Sequence, residues 1–175
     1  MLKYLRNIIN IYSIYQILGK MIFMTDLIVF YSRTNNTRNV AEIIKEETNG
    51  ELLEVKDEAK REGAVQFVTS ALSMIFNRST KISYDNIDLN NYDTIYIGSP
   101  VWTNGPSPAI IEFIKNNDFT GKNVITFATF MANGGPKTTG KMNELVKANG
   151  GNILKSFSFA ASTKNIKELI LDEIK

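Results

Sequence analysis

The chain contains no cysteine and no histidine. Those two absences remove much protein-borne chemistry at once. A disulfide framework, a thiolate nucleophile, a histidine general base, a Ser-His-Asp triad and a Cys/His zinc site are all impossible within it. Redox work has to come from a bound cofactor. No internal repeat or low-complexity tract is present either. What remains is 43% hydrophobic and 22% charged over 175 residues, the balance of one ordinary globular domain with a substantial core.

An excess of one charge is also missing. The formal net charge is +2, and residues 1–23 account for it through Lys3, Arg6 and Lys20, with no acid. Beyond them 17 basic residues face 18 acidic ones. Nothing there suggests a basic nucleic-acid surface, so no nucleic-acid partner is expected. The first 23 residues, MLKYLRNIINIYSIYQILGKMIF, are apolar but broken by Lys3, Arg6, Asn7, Asn10, Gln16 and Lys20. A spanning helix wants roughly 20 mainly apolar residues, and a secretory leader wants a clean apolar stretch and a small-residue cleavage site. Neither is seen, and the expected compartment is the cytoplasm. Residues 1–23 read as an N-terminal extension, from a start assigned too early or as an amphipathic surface helix. Membrane contact is expected only in the second case. The domain proper is expected over 24–175.

From Asp26 onward, strand and helix signals alternate. Leu27-Ile28-Val29-Phe30-Tyr31 is a continuous apolar run of the kind found in central parallel strands. A helix follows over Thr37–Thr48, then strands at Leu52–Val55 and Thr94–Gly98. A helix is expected over Pro108–Asn116, a strand at Val124–Thr129 and a helix over Lys137–Ala148. The last pair is a strand at Ile153–Phe159 and a helix over Asn165–Ile174. Residues 57–92 are harder to read: a helix near Gly63–Phe76, then a polar link through Asn77–Asn91. Alternation of this kind gives a parallel sheet covered on both faces, with ligands bound beyond the carboxyl ends of its strands.

Three loops lie at that edge. Ser32-Arg33-Thr34-Asn35-Asn36-Thr37 joins a buried strand to a helix N-terminus, where free amides and the helix dipole favour an anion. Three hydroxyls suit the acceptor oxygens of a phosphate, and Asn35 and Asn36 tolerate left-handed backbone. The alternative is a plain turn with Asn36 or Thr37 as N-cap. Gly98–Pro108 holds the only tryptophan. Trp102 either stacks on a flat ligand or anchors the loop on its own domain. Phe130-Met131-Ala132-Asn133-Gly134-Gly135 either lets backbone approach a ligand or is a flexible turn before a helix. Gly135–Lys141 matches Gly-x4-Gly-Lys, but Met142 stands where a P-loop needs Ser or Thr. A Gly-x-Gly-x-x-Gly after the first strand is absent too.

Leu27–Ile44, with its Ser-x-Thr-x-x-Thr loop, resembles the phosphate-binding start of flavodoxins. Tyr96–Trp102 followed by Pro106-Ser107-Pro108, and Thr126–Gly135, are similar to the two later loops of flavodoxin-like domains. The resemblance covers about residues 26–175. It implies a doubly wound five-stranded parallel sheet of order 2-1-3-4-5 with helices on both faces. It also implies non-covalent flavin mononucleotide (FMN). By position, Ser32, Arg33, Thr34, Asn35, Asn36 and Thr37 would hold the phosphate. Pro100, Val101, Trp102, Thr103, Asn104 and Gly105 would flank the isoalloxazine on one side, and Thr129, Phe130, Met131, Asn133, Gly134 and Gly135 on the other. Asn35 stands where many flavodoxins have Gly, and Arg33 adds a cation beside the phosphate.

Two functional classes follow from the resemblance. One is an electron carrier serving a redox partner protein; such flavodoxins are typically acidic, a bias this chain lacks. The other is an NAD(P)H-dependent flavin or quinone oxidoreductase with a small-molecule acceptor. Such enzymes stack nicotinamide on the flavin and need no separate fingerprint. A domain that keeps the fold without the flavin is a third possibility. Tyr92, Tyr96 and Lys137 are available as acids or bases, and nothing assigns any of them a role. No metal is expected.

Overall fold

Four consecutive apolar residues with no polar alternation need cover on both faces of their sheet. The computed structural model, which describes residues 25–58, 80–103 and 105–174, meets that need. The run is strand β1 (Leu27–Phe30), buried throughout. Helix α1 (Asn36–Thr48) and strand β2 (Glu51–Glu54) follow. The short strands β3 (Lys56–Asp57) and β4 (Ile82–Ser83) pair antiparallel with each other. Then come β5 (Thr94–Trp102), β6 (Gly105–Pro106), α2 (Pro108–Lys115), β7 (Asn123–Phe130), α3 (Gly135–Ala148), β8 (Asn152–Ala160) and α4 (Ile166–Ile174). The expectations for residues 1–23 and for a helix near Gly63–Phe76 lie outside the described residues. Among the described residues no helix is long and apolar enough to cross a membrane.

The main sheet runs β2-β1-β5-β7-β8, and every neighbouring pair on that path is parallel. Counting these principal strands in chain order gives 2-1-3-4-5, as expected. The chain steps outward from β1 to β2, then returns across β1 to β5. A crevice at the carboxyl ends of β1 and β5 is the consequence of that reversal.

Alternation along each strand sends side chains to two separate cores. Ile28 and Phe30 pack with Val40, Ala41 and Ile44 of α1 and Ile170 of α4. Leu27 and Val29 pack with Ile110, Phe113 and Ile114 of α2 and Met142 and Val146 of α3. Full burial of each such side chain contributes about 1.5–3 kcal/mol, so the two layers of helix are what hold the strands flat between them.

Two features depart from the sequence reading. The third principal strand does not end at Gly98 but continues to Trp102. Pro100 pairs with Thr129 of β7. A turn then folds the chain back, so that Val101 and Trp102 face Pro106 and Gly105. Ser107 N donates to Ser99 Oγ at 2.8 Å and ties the base of this hairpin. Gly98 and Pro100 mask the strand in the sequence, because neither residue type favours one. The β3–β4 pair, two residues on each side, is too short to show any periodicity.

Gly98 has a packing reason. It pairs with Phe127 across the sheet, and a Cβ there would run into the Phe127 ring. That ring is held from behind by Phe157, stacked with centroids 5.9 Å apart. Gly98→Ala is therefore expected to destabilise the domain by about 1–3 kcal/mol through overpacking, read by equilibrium urea unfolding. A loss well under 1 kcal/mol would show that the ring has room to move.

At the amino edge of the sheet, burial pushes the Tyr96 phenol up to about 12, with the Asp26 carboxylate adding to it. Tyr92 also rises to about 12, through burial first and then its bond and charge contact with Glu51. Its hydroxyl donates to Glu51 Oε2 at 2.5 Å. Both phenols ionise near 10 in an unfolded chain. Their contribution to stability is thus present below pH 10 and is lost as the pH climbs toward 12. The urea midpoint should fall between about pH 9 and about pH 11, and Tyr92→Phe with Tyr96→Phe should flatten that decline.

Candidate functional site

The carboxyl edge is built by the loops after β1, β5, β7 and β8. The first runs from Tyr31 to Asn35. Asn35 occupies the N-cap position of α1 with φ 62°, in the left-handed region, and its side chain makes no cap hydrogen bond. Asn36 and Thr37 are the first two helical residues, so neither is the cap. The capping alternative therefore does not hold for them. The first-turn amides have no intrahelical acceptor by helix geometry, the Asn35 side chain does not cap them, and the first turn carries no acid. The positive end of the helix dipole is left uncompensated at this point.

In the loop that leads into that helix end, Ser32 Oγ is buried and has no hydrogen-bond partner among the described residues. A buried hydroxyl left so costs about 1–3 kcal/mol, which a polar ligand would recover. The Thr37 and Thr129 hydroxyls are 2.8 Å apart and buried, joining the first loop to the end of β7. Thr34 Oγ1 accepts from Asn36 Nδ2 at 3.2 Å. Arg33, Thr34 and Asn35 are exposed. Arg38, three residues into α1, turns away: its guanidinium pairs with Glu54 and lies 5.3 Å over the Phe30 ring.

The helix after the second loop is closed by contrast. Ser107 caps α2 by accepting from Ile110 N, with Pro108 opening the helix. Trp102, half-buried, ends β5 and meets the Tyr31 ring edge-on, centroids 5.8 Å apart. It is both anchored on its own domain and open to the edge. Pro100 and Val101 lie in the strand beside it, half-buried, and Gly105 is buried on the return strand. Thr103 is exposed at φ 48°, and Asn104 lies outside the described residues.

In the third loop Thr129 is buried, Phe130 and Gly134 half-buried, and Asn133 exposed. Met131 is 80% exposed. Gly134 takes φ 93° at the N-cap of α3 and offers no capping side chain. Gly135 is pressed against the strands, where a Cβ would lie 2.8 Å from Phe130 Cδ1 and 2.7 Å from Ser158 Cβ. The three predicted loops thus come to one edge of the sheet.

Two contributors were not foreseen. Tyr31 reads in sequence only as the end of an apolar strand, although an aromatic at a strand's carboxyl end is a signal in itself. Ser99 became visible only through its bond to Ser107. Tyr92 and Tyr96 lie toward the other edge and have no access to this one. Among the described residues no acid cluster could hold a metal ion.

A family model for flavodoxins matches residues 25–156. No curated protein matches the chain. A flavoprotein from Lactobacillus acidophilus NCFM, solved in complex with FMN, is 30% identical over 77% of this chain and 93% of its own, with a TM-score of 0.66. A flavoprotein from Bacteroides uniformis is 25% identical over 85% of this chain and 97% of its own, TM-score 0.73. Oxidised flavodoxin 1 from Bacillus cereus is 18% identical over 85% and 92%, TM-score 0.54, and shows the fold alone. Strand order, the crevice at the β1–β5 reversal and the match along most of the sequence agree that the chain belongs to the flavodoxin family.

Proposed function

We propose that this chain binds FMN non-covalently at the carboxyl edge and works as an electron-transfer protein. The observation that carries the reading is the open N-terminus of α1 with the unpartnered Ser32 hydroxyl beside it. Anion chemistry is what such a helix end favours. The 30% identity to a flavoprotein solved with FMN supports the same choice of ligand.

Ser32, Arg33, Thr34, Asn35, Asn36 and Thr37 would take the phosphate. With Thr129 donating into Thr37, the Thr37 proton is free for a phosphate oxygen. Residues 100–105 would flank the ring system on one side, with Trp102 steadied by Tyr31, and Thr129, Phe130, Met131, Asn133, Gly134 and Gly135 on the other. FMN supplies reversible electron uptake when bound. The protein's part is to hold the ring, keep water from its faces and surround it with fixed dipoles.

The purified protein should be yellow and release FMN on denaturation; a colourless protein that takes up no added FMN would end this reading. Ser32→Ala should leave apoprotein stability unchanged or raise it by about 1 kcal/mol, because a buried orphan hydroxyl is removed. The same substitution should weaken FMN binding roughly 10- to 100-fold, as a donor to a charged group is lost. Fluorescence titration of the apoprotein gives both the Kd and the comparison, and an unchanged Kd would put the phosphate elsewhere.

A carrier should be reduced only slowly by NADH or NADPH under anaerobic stopped-flow mixing. Rapid loss of the yellow absorbance would instead make the chain an NAD(P)H-dependent flavin or quinone oxidoreductase.

A further inference from the structure

Two buried hydroxyl contacts stand near the carboxyl ends of β5 and β7, on opposite faces of the sheet. Ser99 and Thr129 are one register step apart on these neighbouring strands, since Ser99 pairs with Ala128 and Pro100 with Thr129. Alternation puts Ser99 on the face of Ile97, toward α2 and α3, and Thr129 on the face of Phe127, toward α1 and α4. Both residues are buried.

The Thr129 contact holds one proton too many. Thr37 and Thr129 bring two hydroxyl protons to a single 2.8 Å contact. One proton fills it, and the other has no acceptor among the described residues. Other threonines give theirs away: Thr48 to the Ile44 carbonyl, Thr126 to the Asn143 amide oxygen, Thr139 to the Pro136 carbonyl. A buried donor without an acceptor is costly, and an anion at the first loop supplies the acceptor that is missing. Strand β5 lies between β1 and β7, so the contact crosses a strand and sets Thr37 from outside its own loop.

The Ser99 contact is complete without a ligand. Its Oγ accepts from Ser107 N at 2.8 Å and donates to the Pro100 carbonyl at 2.9 Å. Backbone pairing in the hairpin is limited to Val101 with Pro106 and Trp102 with Gly105, so Ser99 makes the next tie below those two pairs. Ser107 also caps α2. Ser99 thus joins the base of the hairpin to the start of that helix, and Trp102 stands at the other end of the same hairpin.

We infer that these two hydroxyls are positioning groups with separate tasks: Thr129 sets the Thr37 hydroxyl for the phosphate, and Ser99 sets Trp102 for the ring. The inference rests on the FMN reading above. It gives the Thr129 hydroxyl its work on the phosphate side, although the resemblance alone groups that residue with the ring. It also brings in Ser99, to which the resemblance assigns nothing.

The test titrates full-length apoprotein with FMN, with riboflavin and with inorganic phosphate, the last read as a rise in the urea midpoint. Thr129→Val should weaken FMN and phosphate binding roughly tenfold and riboflavin binding far less, and Thr129→Ser should restore both. Ser99→Ala should weaken FMN and riboflavin alike, roughly tenfold, and phosphate binding far less. Trp102 is the only tryptophan, and its fluorescence anisotropy should fall in Ser99→Ala but not in Thr129→Val. Thr129→Ala and Ser99→Cys, whose sulfur accepts only weakly, serve if the first variants do not fold. Equal losses for all three ligands in either variant would mark a merely structural role and overturn the inference. So would a Thr129→Val protein that loses riboflavin and keeps phosphate. Wild-type apoprotein that takes up neither flavin would end the FMN reading by itself. Phosphate binding would then still decide the part given to Thr129, supporting it by a drop in Thr129→Val and overturning it by none, and Trp102 anisotropy would decide that of Ser99.

Discussion

Everything at the carboxyl edge depends on the central strands being buried on both faces. A strand such as Leu27–Phe30 has no polar side to offer water, so helices must cover the sheet above and below. Right-handed crossovers then run every connection the same way. Helices that follow strands start at one edge, and their unsatisfied amides collect there. The anion-attracting character of that edge is a by-product of covering apolar strands, available before any functional residue is chosen. Individual side chains decide which of those helix ends stay open. Ser107 closes α2, whereas Asn35 and Gly134 leave α1 and α3 open.

Backbone geometry makes the difference at Asn35. A side-chain cap requires extended backbone at the cap residue. Asn35 instead turns left-handed at φ 62°, and its side chain makes no cap hydrogen bond. The hydroxyls of Ser32 and Thr37 are both buried. One is left without a partner, and the other is joined to Thr129 from a strand two places away in the sheet. The site is thus held by contacts between elements far apart in sequence, on a scaffold made rigid by the two cores.

The order and edges of the sheet were legible because the apolar runs at 27–31, 94–98 and 124–129 are long and unbroken. Helices with a clear stripe and stop, such as Thr37–Thr48, were legible for the same reason. Strand β5 beyond Gly98 was not, since Pro100 and Gly98 hide pairing that β7 and the return strand β6 supply. The two-residue ladder of β3 and β4 leaves no pattern at all. At the site, residue types pointed to the right loops, but the cap was read one or two positions late, because a left-handed asparagine and a capping one look alike in sequence.

The hydroxyl pair Thr37–Thr129 carries a last consequence. The 2.8 Å contact fits either oxygen as donor. An anion accepting from Thr37 removes the choice and forces Thr129 to donate. A ligand held by the first loop would in that way be coupled to the end of β7 through one shared proton.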